Sequence, residues 1–141
     1  MKVLGIVFLL FSIWLANKDI YNDWFGLHTY HETILSNAYS SMGTIYTENN
    51  HTDKAMEFYN KAIKIKPNPG PLIKISALNA NKGMLTEAKE TFEDVVHLYP
   101  QDPGSAEAYV SLRLMSLNEK KTQIAEYYFQ QAYRLKTQSM K

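Results

Sequence analysis

Two histidines three residues apart, His28 and His31 in "HTYH", are the first place in this 141-residue chain where side chains could share a metal ion. A zinc site needs three or four ligands, no third one stands nearby, and the pair straddles an expected helix start. His51 and His97 stand apart from them and from each other. The chain has no cysteine, which removes disulfides, zinc–thiolate sites and thiol nucleophiles together. It also excludes a lipid-modified N-terminal cysteine. Glu87, Glu90, Glu93 and Asp94 crowd one stretch, but their spacing reads as the solvated face of an amphipathic helix. Asn50-His51-Thr52 is a glycosylation sequon, a short pattern that chance produces often. No convergent set of nucleophile, base and orienting group can be named. The expectation is a chain that is not an enzyme and carries neither metal nor cofactor.

Composition narrows the partners. Lysines and arginines number 15 against 14 acids, a formal net charge of +1. The lysines are scattered among acids, as in "KETFEDVV", without the clustered basic face that a nucleic-acid binder shows. The length suits one domain with a real core.

Residues 3–16, "VLGIVFLLFSIWLA", form an apolar stretch behind Lys2. Its length suits a signal-peptide core, since a spanning helix wants about 20 apolar residues. Its cleavage site does not, because cutting after Ala16 puts Trp14 where a small residue is required. Ile20, Tyr21, Trp24 and Phe25 extend the apolar character, and Trp and Tyr favour the membrane interface. The reading is an uncleaved signal anchor over residues 3–24 within an N-terminal unit 1–26, with a cleaved signal or a buried N-terminal helix as alternatives. Lys2 favours a cytoplasmic N-terminus, placing the remainder on the extracytoplasmic side.

Elements able to position a binding face emerge from internal repetition. Ala55–Tyr59–Ala62, Ala88–Phe92–Val95 and Ala125–Phe129–Ala132 share offsets of four and seven, one stripe of a helix. Pro67 and Pro100 follow the first two alanines by twelve residues, and the alanines themselves lie 33 and 37 apart. Upstream of the first copy runs Tyr39-x-x-Met42-Gly43-x-x-Tyr46. Together these residues resemble the tetratricopeptide repeat (TPR) pattern W-x-x-L-G-x-x-Y…A-x-x-x-F…P. The second copy fits at Leu72, Ile75, Ser76, Gly83, Ala88, Phe92 and Pro100, with Asn79 where an aromatic is usual. The third keeps Tyr109 and Leu112, but Arg113 replaces the small residue and Ser116 the aromatic. The resemblance implies an all-α, right-handed α-solenoid of three helix-turn-helix units behind the anchor or signal helix. The TPR domain would occupy 27–141, with repeats at 36–68, 69–102 and 106–138.

Local punctuation predicts helices over 30–48, 53–65, 71–82, 87–98, 103–118 and 123–136. A capping box at Thr29 and Glu32 would open the first, Thr86 would cap the fourth, and Asp102-Pro103 the fifth. Gly83 would end the third. Tyr46, Tyr59, Phe92 and Phe129 are expected in the core as partners of the alanines rather than as a stacking platform. Gly43, costly inside a helix by about 1 kcal/mol, is expected where the two helices of a repeat press together.

In arrays of this kind the first helix of each repeat lines a concave groove. The resemblance therefore selects Asn37, Ser40, Thr44 and Glu48, then Ile73, Lys74, Ala77 and Asn81, then Glu107, Ser111, Leu114 and Asn118. Some family members clamp the C-terminal carboxylate of heat-shock chaperones with basic residues and asparagines. Here Ser40, Thr44, Lys74, Glu107 and Ser111 stand at those places, with one cation and an acid where a base is needed, so that ligand is rejected. A protein or peptide partner in the groove remains, along with self-association through the last helix, where Tyr127 and Tyr133 lack a capping element. The functional expectation is a membrane-tethered scaffold or adaptor in a bacterial envelope or secretory-compartment assembly. The alternative is a C-terminal TPR appendage of a polytopic membrane enzyme such as an envelope-polysaccharide ligase or polymerase.

Overall fold

The computed structural model describes residues 26–140. Six helices and no strand occur among them: α1 through residues 26–48, α2 (Thr52–Ile65), α3 (Pro69–Asn81), α4 (Leu85–Leu98), α5 (Ser105–Asn118) and α6 (Thr122–Gln138). Successive helices pack in pairs, α1 with α2, α3 with α4 and α5 with α6, and the pairs stack in chain order. The anchor or signal segment proposed for residues 3–24 lies outside the described residues. Among those described, no helix is long and apolar enough to cross a membrane.

Each first helix stops in the same way, and the stop sets the entry of the second. After α1, Asn50 takes a left-handed φ of 60°, its N–H donates to Thr47 O, and that of His51 donates to Tyr46 O. Gly83 (φ 83°) does this after α3, with Gly83 and Met84 donating to Ala80 O and Asn79 O. Lys120 (φ 58°) does it after α5, with Lys120 and Lys121 donating to Leu117 O and Ser116 O. These paired bonds are the Schellman motif, which satisfies carbonyls a helix end would otherwise leave orphaned. Positions 50, 83 and 120 repeat the 33 and 37 spacing of the alanines.

This geometry corrects three expected caps. Thr86 does not cap α4: the helix starts at Leu85 behind Met84, which makes no side-chain cap, because the Schellman turn already delivers the chain at the right angle. Thr29 and Glu32 do not open α1, which is already helical at residue 26, and Thr33 Oγ1 donates to Thr29 O within it. α3 starts two residues earlier than expected. Asn68 accepts from Gly70 N at 3.2 Å, and Pro69 takes the first turn, where its missing N–H costs nothing. Asp102-Pro103 does not open α5 as expected: the helix starts at Ser105 behind Gly104 with no side-chain cap, and Asp102 instead accepts from Gly104 N at 2.7 Å in the turn ahead of it.

The core follows the repeated stripe. Ala55, Tyr59 and Leu78 form one cluster; Ile73, Ala88, Phe92, Val95, Ala108 and Leu112 form the next; Tyr109, Ala132 and Leu135 form the last. Gly43 is buried against the face of Tyr59, and a β-carbon there would lie 2.6 Å from Tyr59 Cε1. The Tyr59 hydroxyl sits 3.2 Å from Thr44 Oγ1 and 3.3 Å from Thr47 Oγ1, which hold the ring in place. Tyr46 is half-buried beside this cluster and stacks on Phe58 at 5.1 Å.

Phe129 departs from expectation. It is 40% exposed, whereas Tyr59 and Phe92 are at 1% and 2%. Two causes act together. Arg113 stands where Gly43 and Ser76 stand in the other repeats, and its guanidinium lies 4.9 Å over the Phe129 ring. In addition, no helix among the described residues follows α6 to cover the ring as α3 and α5 cover theirs. Tyr128, one residue earlier, packs against both neighbouring clusters instead.

Candidate interaction face

α1, α3 and α5 are the first helices of their pairs. The repeat spacing brings residues 44, 77 and 114 into one register and 48, 81 and 118 into another. Both registers keep access to solvent: Ala77 is half-buried and the other five are exposed. Leu114, an apolar side chain 55% exposed, gives this face its clearest hydrophobic contact point.

A third register holds Lys74 and Ser111. Lys74 Nζ lies 3.1 and 3.2 Å from the two carboxylate oxygens of Glu107, an ion pair that ties α3 to α5. Ser111 Oγ donates to Glu107 O at 3.0 Å. The lysine and the acid proposed separately as groove residues therefore neutralise each other. On α1, Thr44 Oγ1 donates to Ser40 O at 3.2 Å and also meets Tyr59 OH, so Thr44 reports to the core as well as to solvent. Asn37 and Glu48 are exposed and Ser40 is half-buried.

Ile73 is not part of this face. It is 2% exposed inside the central cluster with Phe92, Ala108 and Leu112. Its register, shared with Ser40 and Val110, points at the following repeat rather than into the groove. Counting from the spacing would have shown this, because residue 74, not 73, matches residue 111.

Among the described residues, several titratable groups are shifted by ion pairing or by burial. Hydrogen bonds from Lys121 and then Lys89 hold the Glu119 carboxyl well below its ordinary range, at about 2. The contacts are 2.7 and 2.6 Å and join α4, the end of α5 and the turn into α6. Burial pushes the phenols of Tyr109 and Tyr128 up, keeping them neutral. His28 Nδ1 lies 3.6 Å from Glu32 one helical turn away. Among the described residues no three His, Cys, Asp or Glu side chains are grouped to hold a metal ion.

A second concavity was not anticipated from the sequence. A groove of about 660 Å³ runs between α5 and α6, walled by Val110, Arg113, Phe129, Ala132, Tyr133 and Lys136. Its signal in the sequence was Arg113, the residue that breaks the small-residue pattern.

Comparison with known proteins agrees with this architecture. Models described as tetratricopeptide repeat match residues 36–69 and 72–102. No curated protein sequence matches the chain. Among solved structures, MamA superposes with a TM-score of 0.61 at 19% identity, covering 77% of this chain and 62% of that one. The first TPR of Spaghetti (RPAP3), bound to the HSP90 peptide SRMEEVD, gives 0.61 at 16% identity, covering 73% and 80%. The Sgt2 TPR domain from Aspergillus fumigatus gives 0.60 at 21%, covering 72% and 66%. The chain thus spans slightly less than two thirds of the MamA and Sgt2 chains. Residues 36–69 and 72–102 are tetratricopeptide repeats, the first two units of an all-helical TPR-like solenoid.

Proposed function

We infer that the chain is a non-enzymatic scaffold that binds a protein or an extended peptide along α1, α3 and α5. The observation that carries this is the pair of registers 44/77/114 and 48/81/118, which lie along the first helix of each pair and keep access to solvent in every repeat. Exposed Leu114 supplies an apolar anchor, and Glu48, Asn81 and Asn118 supply polar contacts along the same side. The solved Spaghetti structure has an HSP90 peptide bound, which supports a peptide ligand in general. An acidic tail of that type does not suit this face, because Lys74 is already paired with Glu107. A ligand of mixed composition fits better, with affinity spread over several modest contacts.

Residues 3–24 favour tethering of this scaffold to a membrane, with the helices on the extracytoplasmic side of an envelope or secretory compartment. That part rests on the apolar run and its aromatic flank. Protease added to sealed vesicles distinguishes the orientations, since cleavage within 27–141 from outside the cytoplasmic side supports it and full protection refutes it.

The binding face is tested by selecting peptides from a displayed library against the full chain, then measuring the best binder on Leu114→Arg and Ala77→Arg. Both variants should keep the helical circular-dichroism spectrum and lose affinity at least roughly tenfold, about 1.4 kcal/mol. Unchanged affinity in both would move the ligand off this face.

A further inference from the structure

The groove between α5 and α6 has two counterparts inside the same chain, and both are filled. Shifted back by 37 residues, Val110, Arg113, Phe129 and Ala132 become Ile73, Ser76, Phe92 and Val95, none more than 2% exposed. Ala108 and Leu112 of α5 seal that site. Shifted back by 70, the last three become Gly43, Tyr59 and Ala62, also buried, and Leu78 of α3 packs there. In the third repeat Val110, Phe129 and Tyr133 are 45%, 40% and 61% exposed. This groove has the shape of a seat for the first helix of a repeat.

The matching helix face is also present at the other end, with no partner packed on it among the described residues. The residues of α5 that fill the seat of the second repeat, Ala108, Leu112 and Met115, correspond to Ala38, Met42 and Ile45 of α1. All three are exposed, Met42 by 40% and Ile45 by 57%. Leu35 and Ile34 continue the stripe at 48% and 50%.

We propose that the chain associates head to tail, with α1 of a second copy lying in the α5–α6 groove and continuing the solenoid. Met42 of the second copy then takes the place of Leu112, against Val110 and Phe129, and Ile45 takes that of Leu78. The contact is heterologous, so each copy keeps one free seat and one free face, and repetition builds an open array or a closed ring. The proposal does not use the registers at 44/77/114, so a ligand on that face and a neighbour in this groove are separable.

The chain has no cysteine, which makes the test direct. Full-length Met42→Cys and Val110→Cys variants, each altered at an exposed position, are mixed in mild detergent and treated with a short bismaleimide. The expected product is a covalent dimer containing one of each variant, while either variant alone stays monomeric. Pairing Met42→Cys with Leu98→Cys, exposed on α4, should give no product, and adding Tyr133→Glu to the Val110→Cys chain should abolish the dimer. Absence of the mixed dimer overturns the proposal. So does an equal yield from the Leu98→Cys pair, a Met42–Met42 or Val110–Val110 type product, or indifference to Tyr133→Glu. Leu114→Arg should leave the cross-link intact whether or not it abolishes peptide binding.

Discussion

Gly43→Ala is the sharpest perturbation this fold offers, because two effects of known sign oppose each other at one atom. In an unobstructed helix interior the added methyl would stabilise by about 1 kcal/mol through backbone propensity. Here it would stand 2.6 and 2.7 Å from Tyr59 Cε1 and Cδ1. The ring is 1% exposed, packed with Ala55 and Leu78, and fixed at its hydroxyl by Thr44 and Thr47. It cannot swing away as a flexible chain end would, so roughly an ångström of displacement must be shared among buried groups. Overpacking of this kind costs about 1–3 kcal/mol, which leaves a net loss on the order of 1 kcal/mol and a Tm lower by roughly 4 °C. Gly43→Leu should lose more. Replacing the ring isolates the cause. In a Tyr59→Leu background the side chain can rotate aside, and Gly43→Ala should then stabilise rather than destabilise. Chemical denaturation of the four proteins gives the coupling directly. Equal effects of Gly43→Ala in both backgrounds, or a higher Tm in the single variant, would refute the close approach.

Three further outcomes are expected. Lys120 holds a left-handed conformation that costs a non-glycine residue about 1–2 kcal/mol. Allowing for the greater freedom of unfolded glycine, Lys120→Gly should stabilise by about 0.5–1 kcal/mol in denaturant melts, whereas a loss would show the lysine side chain to be needed. Asn79 is 9% exposed, and its Oδ1 has no hydrogen-bond partner among the described residues. An unsatisfied buried acceptor costs about 1–3 kcal/mol, so Asn79→Leu should raise the Tm, and a lower Tm would mean that the oxygen is engaged. Glu119 titrates near 2, below its ordinary 4.5, because Lys121 and Lys89 bond its ionised form. The folded value is depressed, so the contribution is complete above the ordinary value and is lost as pH falls from about 4.5 toward 2. Carboxyl-carbon NMR should place the midpoint below 4.5 and move it up in Lys121→Met; a wild-type midpoint at or above 4.5 would contradict the pairing.

The helices, their order and most of their core were legible because three independent signals agreed: the alanine–aromatic stripe, the proline spacing and the 33- and 37-residue periods. The first-helix terminations were only partly legible. Gly83 announces a left-handed residue, since glycine adopts that conformation freely. Asn50 and Lys120 serve the same motif without that announcement, and only their register with Gly83 gives them away. The expected caps at Thr29 and Thr86 failed for different reasons. Thr29 lies inside a helix already running at residue 26, and α4 starts at Leu85, straight out of the turn that ends α3, so Thr86 is already within it. Of the proposed groove residues, Ile73 was misplaced by a single position, which on a helix rotates a side chain by about 100°, from one face to another.

The third repeat shows how a departure from pattern can carry more information than a match. Position 43 is glycine because its helix must meet a buried ring, and position 76 is a buried serine at the same sequence distance from buried Phe92. A packed pair at 113 and 129 would demand a small residue again. Arginine there can only be accommodated if the aromatic is not sealed, because a guanidinium needs solvent or a charged partner when buried. Arg113 over an exposed Phe129 is therefore consistent with a site that is open in the single chain and covered only by something that tolerates a cation at its edge. A helix that lays thioether-bearing Met42 against the aromatic wall meets that condition, and α1 carries this residue on an exposed face.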